Sequence, residues 1–144
     1  MYFIDTNIFL ELLLDQKRAD ECEKLFDLLQ KENIHAVASH FSIYSICIYS
    51  VKTGNSKKTG KFLEYVLSLK NLDVINTTLT DDMEILKFAE KMPLDFDDSL
   101  QYYLATEAGC DGIITFDKDF KKTKMKLFTP EEVLRKESPE KRAE

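Results

Sequence analysis

The sequence predicts an α/β protein: a three-layer α/β/α arrangement around a central, mostly parallel sheet of four or five strands. Short β-prone apolar runs alternate along the chain with longer segments whose apolar residues recur at helical spacing. Parallel strands need crossover connections, which are usually helices, and these cover both faces of the sheet. No repeat or linker-like stretch interrupts the alternation over 144 residues, a length that suits one domain and is too short for two independent cores. The domain is placed at 1–136, followed by a disordered tail at 137–144.

The first strand is Tyr2-Phe3-Ile4, which runs through a turn at Asp5-Thr6-Asn7 into a helix from Ile8 to Leu14. From Arg18 to Lys31, Cys22, Leu25, Phe26, Leu28 and Leu29 mark one face of an amphipathic helix, with charged residues between them. Ile34 to Ala38 reads as the second strand. Phe41 to Val51, with Ile43, Tyr44, Ile46, Cys47 and Ile48, is so apolar that a largely buried helix is expected. Gly54-Asn55-Ser56 is a break, and Phe62 to Leu69 forms the next helix, closing near Asn71. Leu72 to Ile75 is the third strand. Thr80 is the expected N-cap of a helix that must stop before Pro93. Asp95 is the expected N-cap of the following helix, which continues through Leu100, Tyr103, Leu104 and Ala108 to a stop at Gly109. Gly112 to Phe116 is the fourth strand and Leu127-Phe128 a short fifth. Thr129-Pro130-Glu131-Glu132 opens a last helix with Pro at its first position, and the chain frays from Glu137.

Composition narrows the function. No apolar run approaches the roughly 20 residues needed to span a membrane, and the N-terminus, with an acid at Asp5, lacks the features of a signal peptide. A cytoplasmic protein is expected. Three cysteines, Cys22, Cys47 and Cys110, without CxxC spacing, imply buried thiols rather than disulfides or a zinc site. A net charge of −6 excludes a protein that coats nucleic acid by charge alone. It leaves room for a nuclease that concentrates carboxylates around catalytic metal and keeps basic residues elsewhere for the substrate backbone. Lys121 and Lys122, in the run Lys121-Lys122-Thr123-Lys124-Met125-Lys126, are the candidates for that contact, although such runs are commonly solvated loops.

In parallel α/β sheets functional groups collect beyond the carboxyl ends of the strands. Asp5 follows the first strand, Asp117 follows the fourth, and Asp98 lies in the first turn of the helix leading into the fourth. Carboxylates gathered in one crevice repel each other unless a cation lies between them, and Mg²⁺ or Mn²⁺ with oxygen ligands is the natural partner. Each acid also has a plain structural alternative. Asp98, with Asp95 and Asp97, suits the positive end of its helix; Asp5-Thr6-Asn7 suits a capped turn; and Asp117-Lys118-Asp119 suits a tight acidic turn.

The order of these pieces is more specific than any one of them. Asp-Thr-Asn after strand one, Asp98-Ser99-Leu100 opening a helix, and Ile114-Thr115-Phe116-Asp117-Lys118-Asp119-Phe120 together resemble the PIN-domain ribonucleases from Phe3 to about Val133. The resemblance implies a metal-dependent endoribonuclease, similar to the toxins of toxin–antitoxin pairs. It assigns Asp5, Asp98 and Asp117 as catalytic metal-binding acids, Asp119 as a further metal-binding acid, and Asn7 and Thr115 as supporting residues. RNA is the implied substrate, and a cognate antitoxin and a second copy of the chain are the implied protein partners. The family commonly carries a Glu six residues after the Ser that closes strand two. Counting from Ser39 that position is Ser45, and no acid occurs from Asn33 to Thr59. The competing expectation is therefore a PIN-like domain that binds RNA or protein with weak or no nuclease activity. A phosphoryl-transfer enzyme of the haloacid-dehalogenase kind is disfavoured, because it needs an acid where Asn7 stands.

Overall fold

Side chains alternate across a strand, so a strand buried on both faces feeds two separate cores. The computed structural model, which describes residues 1–138, has five strands, β1 (Tyr2–Ile4), β2 (Ala36–Ser39), β3 (Leu72–Ile75), β4 (Gly112–Ile114) and β5 (Leu127–Phe128), of which the central β1, β2 and β4 are buried on both faces. All neighbours are parallel, in the order β3-β2-β1-β4-β5. Tyr2, Ile4, Ala36, Ala38 and Ile114 face one core, and Phe3, Val37 and Ile113 face the other.

Helices close both faces. The first core is covered by α1 (Thr6–Leu13), α2 (Ala19–Gln30), α3 (His40–Lys52), α4 (Ser56–Ser68) and α7 (Pro130–Glu137), which contribute Phe9, Leu25, Phe26, Ile46, Val66 and Val133. The second is covered by α5 (Leu79–Lys91) and α6 (Phe96–Glu107), through Ile85, Leu100, Leu104 and Ala105, together with Phe120 from a 3₁₀ turn at Lys118–Lys122. The expected three-layer α/β/α fold is the observed one, and the sheet is entirely parallel with five strands. The chain leaves β1 toward β2 and β3, then crosses to the other side of β1 to form β4. The reversal opens a crevice between the carboxyl ends of β1 and β4, the usual ligand position in such sheets.

Several local expectations are corrected. Asp5-Thr6-Asn7 is no separate turn: α1 starts at Thr6, with Asp5 as its N-cap. The N-cap of α5 is Thr78 rather than Thr80, because Thr78 closes a reciprocal capping box with Asp81. Asp95 is the N-cap of α6, as expected, though its side chain makes no capping bond. Strand β4 ends at Ile114, two residues early, as Thr115 turns its side chain into the crevice. Glu137, expected in a frayed tail, closes α7 and accepts a hydrogen bond from the Tyr2 hydroxyl; the rest of that tail, 139–144, lies outside the described residues.

The largest correction concerns α3. Its inward stripe is only Ser42, Ile46 and Ser50, while Tyr44, Ile48, Tyr49 and Val51 are exposed, Val51 at 72%. Small inward residues allow close approach to α4, where the Ser50 hydroxyl donates to Thr59 Oγ1 at 2.6 Å, and the bulky apolar residues are left outside. Of the cysteines, only Cys22 is fully buried, and burial pushes its thiol up to about 12; Cys47 and Cys110 are half-buried. No described helix is long and apolar enough to cross a membrane.

Edge strand β5 depends on a missing side chain. A Cβ on Gly112 would lie 2.8 Å from the Lys126 carbonyl oxygen and 2.5 Å from the Phe128 ring, and that same carbonyl accepts from Ile113 N. Gly112→Ala is therefore expected to pry β5 from β4 and to destabilise the fold by about 1–3 kcal/mol. An unchanged urea midpoint would show that β5 shifts without cost.

Candidate metal centre

Three elements deliver acids to the crevice. Asp5 ends β1 and is 5% exposed, with both carboxylate oxygens engaged: Oδ1 accepts from Thr6 N at 2.7 Å and Oδ2 from the Thr115 hydroxyl at 2.6 Å. Thr115, just beyond β4, also accepts from Asn7 Nδ2 at 3.2 Å and from Asp117 N at 2.9 Å. Asn7 Oδ1 in turn accepts from Phe116 N at 3.4 Å. The first turn of α1 is thereby tied to the loop after β4, and the backbone of Asp117 is fixed. Asp117 accepts from Asp119 N at 2.8 Å, capping the 3₁₀ turn and holding the two acids together.

Asp98 approaches from the first turn of α6 and is half-buried. One carboxylate oxygen each from Asp98, Asp117 and Asp119 lie within 4.8 Å of one another, and Asp98 makes a second such group with Asp95 and Asp97. Asp5 stands outside this triad but lines the same crevice of about 250 Å³ with Asp97, Asp98, Asp117, Asn7 and Ser45. The crevice thus gathers Asp5, Asp98, Asp117, Asn7 and Ser45; Asp119 adjoins it through the triad, and Thr115 through Asp5. Lys121 and Lys122 lie outside it.

Charge accumulates here without relief. Burial holds the Asp5 carboxyl above its usual range, against hydrogen bonds from Thr115, Thr6 and Gln101, and the Asp117 charge adds to the rise. Asp98 is pushed up to about 7 by burial and by the charges of Asp97, Asp5, Asp117 and Asp95. No basic side chain among the described residues lines the crevice. A set of carboxylate oxygens with neighbouring hydroxyl and amide groups fits a hard divalent cation.

The PIN-domain profile matches residues 2–126. The chain belongs to the PIN-domain family. Solved structures share the fold of this PIN domain over nearly its whole length. A toxin–antitoxin complex from Klebsiella pneumoniae aligns with a TM-score of 0.64 and 19% identity, over 90% of this chain and 98% of that one. VapC20 of Mycobacterium tuberculosis, a sarcin-ricin loop cleaving toxin, aligns with a TM-score of 0.71 and 14% identity, over 88% and 97%. VapBC2 from Rickettsia felis, bound to a DNA fragment from its promoter, gives 0.69 and 19%, over 89% and 97%. At these identities the likeness is one of fold. No curated protein matches the sequence.

Within the PIN domain, sequence reasoning passed over Gln101, which is 2% exposed, lines the crevice with Asp5 and favours the charged form of that carboxylate. Its position three residues after Asp98 on one helix was the available signal, since such residues share a face. The amide oxygen of Gln101 and the hydroxyl of Ser99 are buried without a partner among the described residues. Thr6 and Ser42 were also missed; their hydroxyls join at 2.6 Å and clamp α1 to α3 beside the site.

The raised Asp98 fixes the sign of a pH effect. Between its ordinary value of 3.8 and about 7, folded Asp98 retains a proton that the unfolded chain releases. Its contribution to stability is full below the lower value and is lost as pH rises through 7. In metal-free buffer Asp98→Asn is expected to gain stability relative to wild type at pH 8 and to lose that advantage near pH 4. Parallel melting curves for the two proteins would refute the accumulated charge.

Proposed function

We propose that this PIN domain is a metal-dependent endoribonuclease that cleaves RNA phosphodiester bonds, acting as the toxin of a toxin–antitoxin pair. The supporting observation is the crevice itself, where acids from the ends of β1 and β4 and from α6 converge with no basic side chain among the described lining residues. Asp98, Asp117 and Asp119 are the proposed direct ligands of Mg²⁺ or Mn²⁺, with Asp5 as the fourth acid behind them. Such an ion activates water for in-line attack on a phosphodiester and stabilises the leaving oxygen.

The protein's own groups prepare the site. Thr115 and Thr6 fix the rotamer of Asp5, so its charge is held in place and does not swing into solvent. Asn7 and Thr115 set the height of Asp117 through backbone amides, and Asp119 is drawn in by its bond to Asp117. A site whose carboxylates are preset has less ordering to do when a cation and a phosphate arrive.

A second reading has its own support. Ser45 lines the crevice at the position expected for a Glu, and its hydroxyl is turned back to the Phe41 carbonyl at 2.9 Å. The α3 side therefore offers no carboxylate, which favours weak turnover and a role in binding RNA or protein. The exposed apolar residues of α3 suit protein contact, whether with an antitoxin or a second copy of the chain.

Two experiments separate these readings. Asp98→Asn and Asp117→Asn are each expected to weaken Mn²⁺ binding by at least roughly the ten- to hundredfold typical of losing a supporting group, with Asp119→Asn milder, and to abolish cleavage of RNA by the folded protein. Unchanged Mn²⁺ affinity by calorimetry in both principal variants would remove the metal centre. Ser45→Glu should tighten Mn²⁺ by about 1.5–3 kcal/mol, the range for a bond to a charged group, and speed RNA cleavage, while lowering stability in metal-free buffer by added repulsion. Tighter metal with no cleavage of any RNA would favour the binding reading.

A further inference from the structure

Next to the acidic crevice lies a second hollow, of about 400 Å³, whose lining includes Arg18, Phe116, Asp117, Lys118 and Lys121. Asp117 lines both, so the two open side by side. Arg18 is held on two sides. Its backbone amide donates to Glu11 Oε1 at 2.6 Å, and its guanidinium lies 4.1 Å from the centre of the Phe116 ring. None of Arg18, Lys118 and Lys121 forms an ion pair among the described residues, although Lys87 and Arg135 elsewhere on the surface do. The other acid of the hollow, Glu132, is occupied in capping α7, where it accepts from Thr129 N at 2.8 Å. Lys122 turns away from the hollow, its Nζ reaching the Pro93 carbonyl at 3.5 Å.

We infer that this hollow is a phosphate subsite for single-stranded RNA, holding a backbone phosphate adjacent to the one at the acidic crevice, with Arg18 as its anchor. The inference rests on the nuclease reading above. In a chain of net charge −6, three unpaired cations around one hollow mark the place where a polyanion is tolerated. Stacking on Phe116 restricts the guanidinium before any ligand arrives and leaves its N–H edge for bidentate contact with phosphate oxygens. The hollow has the size of a small-ligand pocket, which suits one splayed nucleotide rather than the wide minor groove of a duplex. Because Asp117 belongs to both hollows, a strand crossing it passes directly from cationic groove to metal centre.

The test is a fluorescence-anisotropy titration of a labelled single-stranded RNA of about twelve nucleotides, within the usual range of such sites, over a salt series in metal-chelated buffer. Removing phosphate contacts flattens the plot of log K against log salt by about 0.7 per contact on single strands. Arg18→Ala with Lys118→Ala should therefore lower the slope by about 1.4 and weaken RNA binding at low salt, with Mn²⁺ affinity unchanged. Arg18→Lys should keep the slope and still lose affinity, since the charge stays and the planar fork is gone. Lys118→Ala with Lys121→Ala, which leaves the Arg18–Phe116 contact in place, gives the same reading if loss of Arg18 perturbs folding. Wild-type binding with unaltered slopes in the variants overturns this subsite and leaves the nuclease reading standing. Absence of RNA binding by the wild type both in this buffer and with a divalent metal restored overturns both. Loss of Mn²⁺ affinity in the variants would make the hollow a prop for the metal centre, and an equal loss of binding to polyglutamate would assign it to a protein partner; either overturns the subsite.

Discussion

A carboxylate buried at the end of a central strand has to be satisfied by the protein, and the way Asp5 is satisfied sets the rest of the site. One oxygen caps α1 and the other takes the Thr115 hydroxyl from beyond β4. These two bonds join the first strand, the first helix and the fourth strand at the reversal of strand order. The same hydroxyl accepts from Asn7 and from the Asp117 amide, so one threonine transmits the position of Asp5 to the neighbouring acid. Loss of that hydroxyl would leave a buried carboxylate short of a donor and free the loop that carries Asp117, which couples folding to the geometry of the centre.

The layered fold was legible because parallel strands buried on both faces are short, apolar and separated by helical periodicity, as Tyr2 to Ile4 and Gly112 to Ile114 show. The gathering of acids was legible from their places after strands. What escaped were features decided by partners distant in sequence. Thr78, not Thr80, caps α5, since the cap is chosen by reciprocity with Asp81. Gln101 looks like an ordinary polar helix residue until α6 is docked against β1. The apolar content of α3 says that its residues avoid water, but not whether the shelter is this chain's core or another surface; here Ile46 goes inside, while Tyr44, Ile48 and Val51 stay out.

Ser45 shows how a neutral residue on one wall sets the electrostatic balance of the crevice without disturbing the frame. Its hydroxyl returns to the Phe41 carbonyl, a local bond that needs nothing from the crevice. The α3 wall therefore lacks a charge that the Asp98 side has in excess, with Asp95 and Asp97 close by. A cation drawn to this crevice is held from the α6 and β4 sides, and the acids there carry the full burden of repulsion when it is absent. Burial first, and then the charges of Asp97, Asp5, Asp117 and Asp95, raise the proton affinity of Asp98.

As a nuclease, the proposed function, this acidic protein would have to hold an acidic polymer against its own net charge of −6. The field of the net charge is screened beyond the Debye length of about 8–10 Å at ordinary salt, whereas a phosphate in a groove responds to the charges that touch it. Repulsion from the surface as a whole lowers encounter rates and makes non-specific binding poor, so affinity must be concentrated in few contacts. Arg18, Lys118 and Lys121, without an ion pair among the described residues and lining one hollow with Asp117, would supply that concentration on one side of the proposed metal centre. On the proposed reading the arrangement has a polarity: cations would fix the strand at one hollow, and carboxylates at the next would accept it only together with a divalent ion. Binding of RNA and binding of metal then favour each other, because each neutralises a charge that the other would otherwise have to face.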